Sequence, residues 1–149
     1  MKISIREAVL GDYECIAKLN KNCLGYETNT GDAKKRLELL LKMSSHKIYT
    51  AVDENKGENG AVVGYIHVND YDCLYSQHMK NILALAVEET YRRRGIAALL
   101  LERAEKWARN TGAEGIRLDS GEERHGAHSF YEARQYKALK DHKHFVKIL

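Results

Sequence analysis

The chain has 149 residues, enough for one domain with a substantial core, and its 44% hydrophobic and 30% charged content is that of a globular protein rather than a disordered one. A net charge of +3 permits an acidic ligand but falls short of the dense basic face of a nucleic-acid binder. No run approaches the roughly 20 apolar residues of a membrane span, and MKISIREAVL lacks an apolar leader core, so a cytoplasmic protein without a membrane partner is expected.

Cys15, Cys23 and Cys73 are odd in number and show no C-x-x-C spacing, which points to plain thiols rather than a disulfide framework or zinc site. With no proline in the chain, glycines and polar clusters supply all the punctuation. ISIREAV (3–9) alternates like a strand with one buried face, and a helical face follows over 12–22 through Tyr13, Ile16, Ala17 and Leu19. The polar, glycine-bounded loop CLGYETNTG (23–31) carries Tyr26, and Leu37, Leu40 and Leu41 mark a second helix from Asp32 to Met43. The period then becomes two: KIYTAVD (47–53), a turn at 54–60 and AVVGYIHV (61–68) read as a hairpin. NILALAV (81–87) reads as a central strand buried on both faces. A helix over 95–109 presents Ile96, Leu100, Leu101, Ala104 and Ala108, and GIRLDS (115–120) is a further strand. A helix over 124–134 and two strands, 135–139 and 144–149, paired as an antiparallel hairpin, close the chain. Strand–helix–strand order over 81–120 demands a right-handed crossover and parallel pairing there, giving an α+β domain with a mixed sheet.

The stretch YRRRGIAALLLE (91–102) stacks Arg92, Arg93 and Arg94 where a helix begins, although a helix start carries partial positive charge and free N–H groups. Gly95 lets a ligand approach the backbone, and N–H groups of residues 93–97 then converge on one point with the helix dipole behind them. That arrangement suits a pyrophosphate. Neither the P-loop pattern nor the dinucleotide G-x-G-x-x-G is present.

What stands here, Arg92-x-x-Gly95-x-Ala97 after the strand LALAV, resembles the acetyl-coenzyme A motif [QR]-x-x-G-x-[GA] of the GNAT superfamily of N-acetyltransferases. Arg124, Ala127, Phe130, Tyr131 and Tyr136 stand in register with that family's later signature, and Phe145, Lys147 and Leu149 match its closing strand. The similarity covers most of the chain and is strongest over 81–149. One position departs: Gln135 stands where the family usually has glycine, which leaves the turn there open.

The resemblance implies a single GNAT domain, 1–149, with a mixed, mostly antiparallel sheet of six to seven strands and about four helices. It implies transfer of an acetyl group from acetyl-CoA to a primary amine of a small molecule or peptide by direct attack in a ternary complex, without a metal. By the same resemblance, Leu85, Ala86 and Val87 would lie along the pantetheine arm, with an N–H near Val87 holding the thioester oxygen. Arg92, Arg93, Arg94, Gly95, Ile96 and Ala97 would grip the pyrophosphate, and Arg124 could reach a phosphate or simply begin a helix. Tyr131 would give a proton to the departing thiolate, while Phe130 packs.

The acceptor amine also needs a base, and strand 81–87 carries no carboxylate. Asp70, Asp72 and Glu88 are candidates, with Tyr26, Asp70 and Asp72 as candidate acceptor contacts and YDCLY (71–75) as a further aromatic edge. His125 with His128, and His142 with His144, lack the carboxylate of an H-E-x-x-H pattern. Relatives are often homodimers, which the resemblance allows here. The competing reading is a non-catalytic CoA-binding regulatory module of the same fold; a nucleic-acid binder is disfavoured because the arginine cluster is short and sits beside Glu88 and Glu89.

Overall fold

The period-two stretches form β1 (Ile3–Glu7), β2 (His46–Asp53), β3 (Ala61–Tyr71) and β4 (Met79–Val87), joined at the far side by β5 (Gly115–Leu118). A computed structural model describes all residues, 1–149, which divide into two units, 1–118 and 119–149. In the first unit the sheet order is β1-β2-β3-β4-β5, antiparallel except for the β4–β5 pair. The helix between β4 and β5 is long enough to return the chain for that parallel pairing. Three helices belong to this unit: α1 (Tyr13–Leu19), α2 (Thr30–Leu41) and α3 (Ile96–Asn110).

Pairing register sorts the side chains into two layers. Tyr65 lies opposite Thr50 and Ala86, and His67 opposite Ile48 and Ala84, so these residues share one face of the sheet. Ala8, Leu19, Leu37, Ile48, Tyr65 and Ala86 form a buried cluster there, with Tyr13, Ile16 and Leu40 of α1 and α2 packed against it. On the opposite face α3 buries Ile96, Leu100, Leu101, Ala104 and Ala108, at the i, i+4 spacing of an apolar stripe. Gly64 permits this close layer: a Cβ there would meet the Ala86 carbonyl at 3.0 Å and Leu100 Cδ1 at 3.3 Å.

Local chemistry sets the ends. Asp12 accepts the Val9 N–H at 2.9 Å and pairs with Arg6 through both oxygens at 2.8 and 3.0 Å, fixing the turn into α1. The predicted helix 12–22 stops being α-helical at Leu19; a π turn, Asn20–Leu24, follows and ends on left-handed Gly25. Asn29 caps α2 by accepting the Asp32 N–H at 2.8 Å, placing its start two residues before the predicted one. Below α3, Lys80 of β4 is almost fully buried, paired with Asp70 and 3.8 Å from the centre of the Trp107 ring.

The second unit holds α4 (His125–Ala133). Tyr136 N–H donates to the Tyr131 carbonyl and Gln135 N–H to that of Glu132, both at 3.0 Å, which is the double closure of a Schellman end. Gln135 sits at φ 69, the left-handed conformation that glycine supplies without strain, so the turn keeps its geometry despite the residue. The expected strands over 135–139 and 144–149 are not strands, and the sheet has five strands rather than six or seven. A strand needs a hydrogen-bonded neighbour and a surface for its alternate side chains; Leu139, Phe145, Val146, Ile148 and Leu149 are all exposed.

Candidate active site

The arginine-rich turn is built on Tyr91. A single 3-10 turn, Glu89–Tyr91, follows β4, and the buried Tyr91 hydroxyl donates to Asp53 at 2.7 Å, pinning the turn to the end of β2. That hydrogen bond holds the Asp53 carboxyl below its ordinary range and pushes the Tyr91 phenol up. Arg93 (φ 62) and Gly95 (φ 79) then adopt left-handed backbone within three residues. Such alternation turns successive N–H groups toward one concavity, an anion-binding nest. No side chain caps α3 and no acidic residue sits in its first turn. The N–H groups of that first turn are therefore left for an external acceptor.

The three arginines differ in what they touch. Arg92 Nε donates to the Val87 carbonyl at 3.1 Å, tying the turn to β4. Arg94 lies 5.5 Å from the Tyr91 ring centre, with Nη1 3.3 Å from Met1 Sδ. Arg93 is exposed.

Beside this turn, β4 parts from β5. Their pairing ends at Ile82 with Leu118, while β4 continues to Val87. A register shift between His67 and Val68 leaves Leu83 as an extra residue in β4, a bulge at the point of separation. Glu88 N–H donates to the Val63 carbonyl at 2.8 Å, so strand alternation turns the N–H and C=O of Val87 and Leu85 away from β3. The contacts of the Val87 carbonyl agree, since Arg92 Nε and, at 3.4 Å, the Cys23 thiol reach it from that side.

On the face shared by Tyr65 and His67 lie two adjoining cavities of about 160 and 460 Å³. Asn20, Thr28, Arg36, Tyr65 and His67 line both. The larger also reaches Tyr26, Glu27 and, at the β4 bulge, Leu83 and Ala84. Tyr65 donates to the Asn20 amide oxygen, and burial pushes its phenol well above the ordinary value. His67 Nε2 lies 2.9 Å from His46 Nδ1; burial, with His46 adding to it, pushes the His67 imidazole down to about 4, so it is uncharged at neutral pH. Glu27 pairs with Lys21 at 3.3 Å.

Tyr26 thus lines a cavity, whereas Asp70 and Asp72 do not. Asp70 pairs with buried Lys80, and Asp72 with His78 at 2.7 Å. Glu88 accepts from the Thr90 hydroxyl at 3.3 Å and lies outside both linings. In the YDCLY segment Tyr71 and Tyr75 meet through their hydroxyls at 3.2 Å, and Leu74 and Tyr75 are exposed. Within the second unit Arg124 stands at the start of α4. Tyr131 lies edge-on to Phe130 and Tyr136, at 5.2 and 5.6 Å between ring centres; burial pushes its phenol up to about 12, with Arg124 opposing the shift. His125 and His128 make an edge contact at 5.9 Å, and no group of three His, Cys, Asp or Glu side chains is placed to hold a metal ion.

Asn20, Arg36, Tyr65, His67 and His46 went unnoticed in the sequence. One signal was available: Tyr65 and His67 are polar interruptions two residues apart in an apolar strand, hence on one face.

The strand pair thus splits beside an uncapped, left-handed helix entry. The chain belongs to the Acetyltransferase (GNAT) family, whose model matches residues 14–136. Its fold matches a transcriptional regulator from Bacillus halodurans C-125 at a TM-score of 0.84 and 22% identity, over 98% of this chain and 100% of that one. AAC(6')-Iy, solved with the bisubstrate analog CoA-S-monomethyl-acetylneamine, matches at 0.84 and 16% identity over the full length of both chains. The aminoglycoside antibiotic 6'-N-acetyltransferase AAC(6')-Ih from Acinetobacter baumannii matches at 0.83 and 15% identity, over 99% of each chain. No curated protein sequence matches at a significant level. No helix is long and apolar enough to cross a membrane.

Proposed function

We propose that this chain is a single-domain N-acetyltransferase that moves the acetyl group of acetyl-CoA to a primary amine by direct attack within a ternary complex. The family match spans residues of both units, which supports treating 1–149 as one domain. The observation that carries the reading is the uncapped start of α3, with Arg93 and Gly95 both left-handed, next to a β4 edge that β5 no longer pairs. These residues fit the cofactor. The N–H groups of Gly95, Ile96 and Ala97 offer donors to a pyrophosphate, and Arg93 and Arg94 add charge beside them. Along the segment Leu85, Ala86 and Val87, the outward N–H and C=O of Leu85 and the N–H of Val87 offer strand-like pairing to an amide-bearing pantetheine arm, while the polar groups of Ala86 face β3.

Bound acetyl-CoA supplies the acetyl group activated as a thioester. The outward N–H of Val87 or Leu85 donates to the oxygen that gains charge during attack, a contribution of about 3 kcal/mol for such donors. His67 stays uncharged, so it adds no imidazolium to the guanidinium of Arg36 in the cavity beside Ala84. The amine, an ammonium ion with a pKa near 10.4 in water, sheds its proton before attack. Tyr131 donates a proton to the departing thiolate; its phenol, raised to about 12, remains protonated at neutral pH and available for that transfer. Arg124 is assigned to a phosphate of the cofactor.

A thiol-release assay over a panel of amines tests the reaction. Tyr131→Phe should leave acetyl-CoA binding intact and lower kcat by about 10²-fold or more. Full turnover by that variant would remove Tyr131 from the mechanism.

A further inference from the structure

The paired cavities between α1, α2 and β3 reach β4 at its bulge, next to the backbone assigned above to the acyl donor. On the N-acetyltransferase reading they form the acceptor side of the site, and the identity of the acceptor rests on that reading. Their charge inventory is short. Glu27 is the one carboxylate in either lining, and Lys21 neutralises it at 3.3 Å. His67 is uncharged. Arg36 of α2, exposed at the cavity rim, lines both cavities and makes no ion pair, so its guanidinium is the one charge there free to meet a ligand. Because the Tyr65 hydroxyl occupies the Asn20 amide oxygen, Asn20 presents its NH₂ as a donor. The Thr28 hydroxyl adds a third polar group to both linings.

A cavity that binds polycationic amines needs carboxylates to replace water around each ammonium group. This one instead gathers a guanidinium, an amide NH₂ and a hydroxyl around neutral aromatic and aliphatic walls. A guanidinium fork matches a carboxylate with two parallel hydrogen bonds. Asp70 and Asp72, the carboxylates that could have favoured a cationic acceptor, are held by Lys80 and His78 instead.

We infer that the acceptor is a small amine bearing a carboxylate, of the amino-acid class, with Arg36 holding its carboxylate and the amine directed toward Ala84 on β4. Arg36 sets specificity and takes no part in the proton transfers. The atom balance is that of amide formation: the amine nitrogen gains the acetyl carbon, the C–S bond breaks, and the amine proton leaves as the thiolate gains one.

The test is steady-state thiol release with α-amino acids, their decarboxylated amines, O-phosphoethanolamine, spermidine and kanamycin as acceptors. Carboxylate-bearing amines should exceed their decarboxylated partners by about tenfold in kcat/KM, the gain of a charge-assisted pair with the guanidinium. Arg36→Gln should raise KM for the acids by a similar factor with little change in kcat, and Arg36→Lys should recover part of the loss. A preference for O-phosphoethanolamine would replace the carboxylate by a phosphate and contradict the assignment, as would preferred use of spermidine or kanamycin, or an Arg36→Gln enzyme with unchanged KM for acids. Those results would leave the acetyltransferase reading standing. Failure of the protein to bind acetyl-CoA would instead overturn both.

Discussion

Gln135 shows how much backbone geometry a single residue can hold against its own preference. α3 ends with Gly112 in the left-handed conformation, and Gly112 and Ala113 close its last turn onto Arg109 and Ala108 at 3.2 and 2.9 Å. α4 ends with the same pair of hydrogen bonds, but its left-handed residue is Gln135. A side chain in that region costs about 1 kcal/mol relative to glycine. Gln135→Gly should therefore raise stability by about 1 kcal/mol, measured by chemical denaturation; no gain would mean that the side chain makes compensating contacts. The departure from the family pattern was visible in the sequence. Its backbone consequence was not, because either a rearranged turn or a strained one satisfies the same letters.

At the scale of elements, the sequence showed the strand and helix periods well and their chemistry less well. NILALAV announced a central strand, yet Lys80, one residue before it, proved to be among the most buried side chains of β4. Lysine ordinarily marks the surface, and Asp70 directly opposite on β3, Trp107 on α3 and His78, whose Nε2 lies 3.3 Å from the ammonium, together make its burial tolerable. Asp70 and Trp107 are distant from it in sequence. Removing the acid should be costly: Asp70→Ala strands a buried ammonium and is expected to lose about 3 kcal/mol of stability. Lys80→Met, which removes the need for a partner, should cost far less, so a denaturation comparison of the two variants separates pairing from packing. Equal losses would contradict the buried-pair account. The closing strands failed for the opposite reason: the apolar alternation of residues 144–149 is clear, but alternation specifies a strand only where a neighbouring strand completes it.

For the whole molecule, the layer between α1, α2 and the sheet makes stability depend on pH. His67 titrates near 6.5 when exposed and near 4 in the folded state, so above pH 6.5 it favours neither state. As pH falls from 6.5 toward 4, the unfolded chain takes up a proton that the folded chain refuses, and up to about 3 kcal/mol of stability is lost across that window. His67→Gln should flatten the pH dependence of unfolding between those limits relative to the parent. Parallel curves would mean that His67 titrates alike in the folded and unfolded chain, against the burial account. The uncapped entry to α3, where the donor site is proposed, was legible in YRRRGIAALLLE, because a helix start without a carboxylate is a local signal. The paired cavities beside β3 were not, since Asn20, Arg36, Tyr65 and His67 are drawn from three elements and meet only after the sheet is formed.

The central claim is that the turn 92–97 receives the pyrophosphate of acetyl-CoA, and calorimetric titration of acetyl-CoA into the intact protein and its Gly95→Val variant tests it most directly. A Cβ at Gly95 would meet no protein atom within 4 Å, but φ 79 forbids a β-branched residue, and the added methyl groups would stand where the ligand must approach. Saturable binding to the parent chain and its loss in a variant that still folds is the expected result. Binding of equal strength to both proteins, or none to the parent at millimolar ligand, would contradict the account.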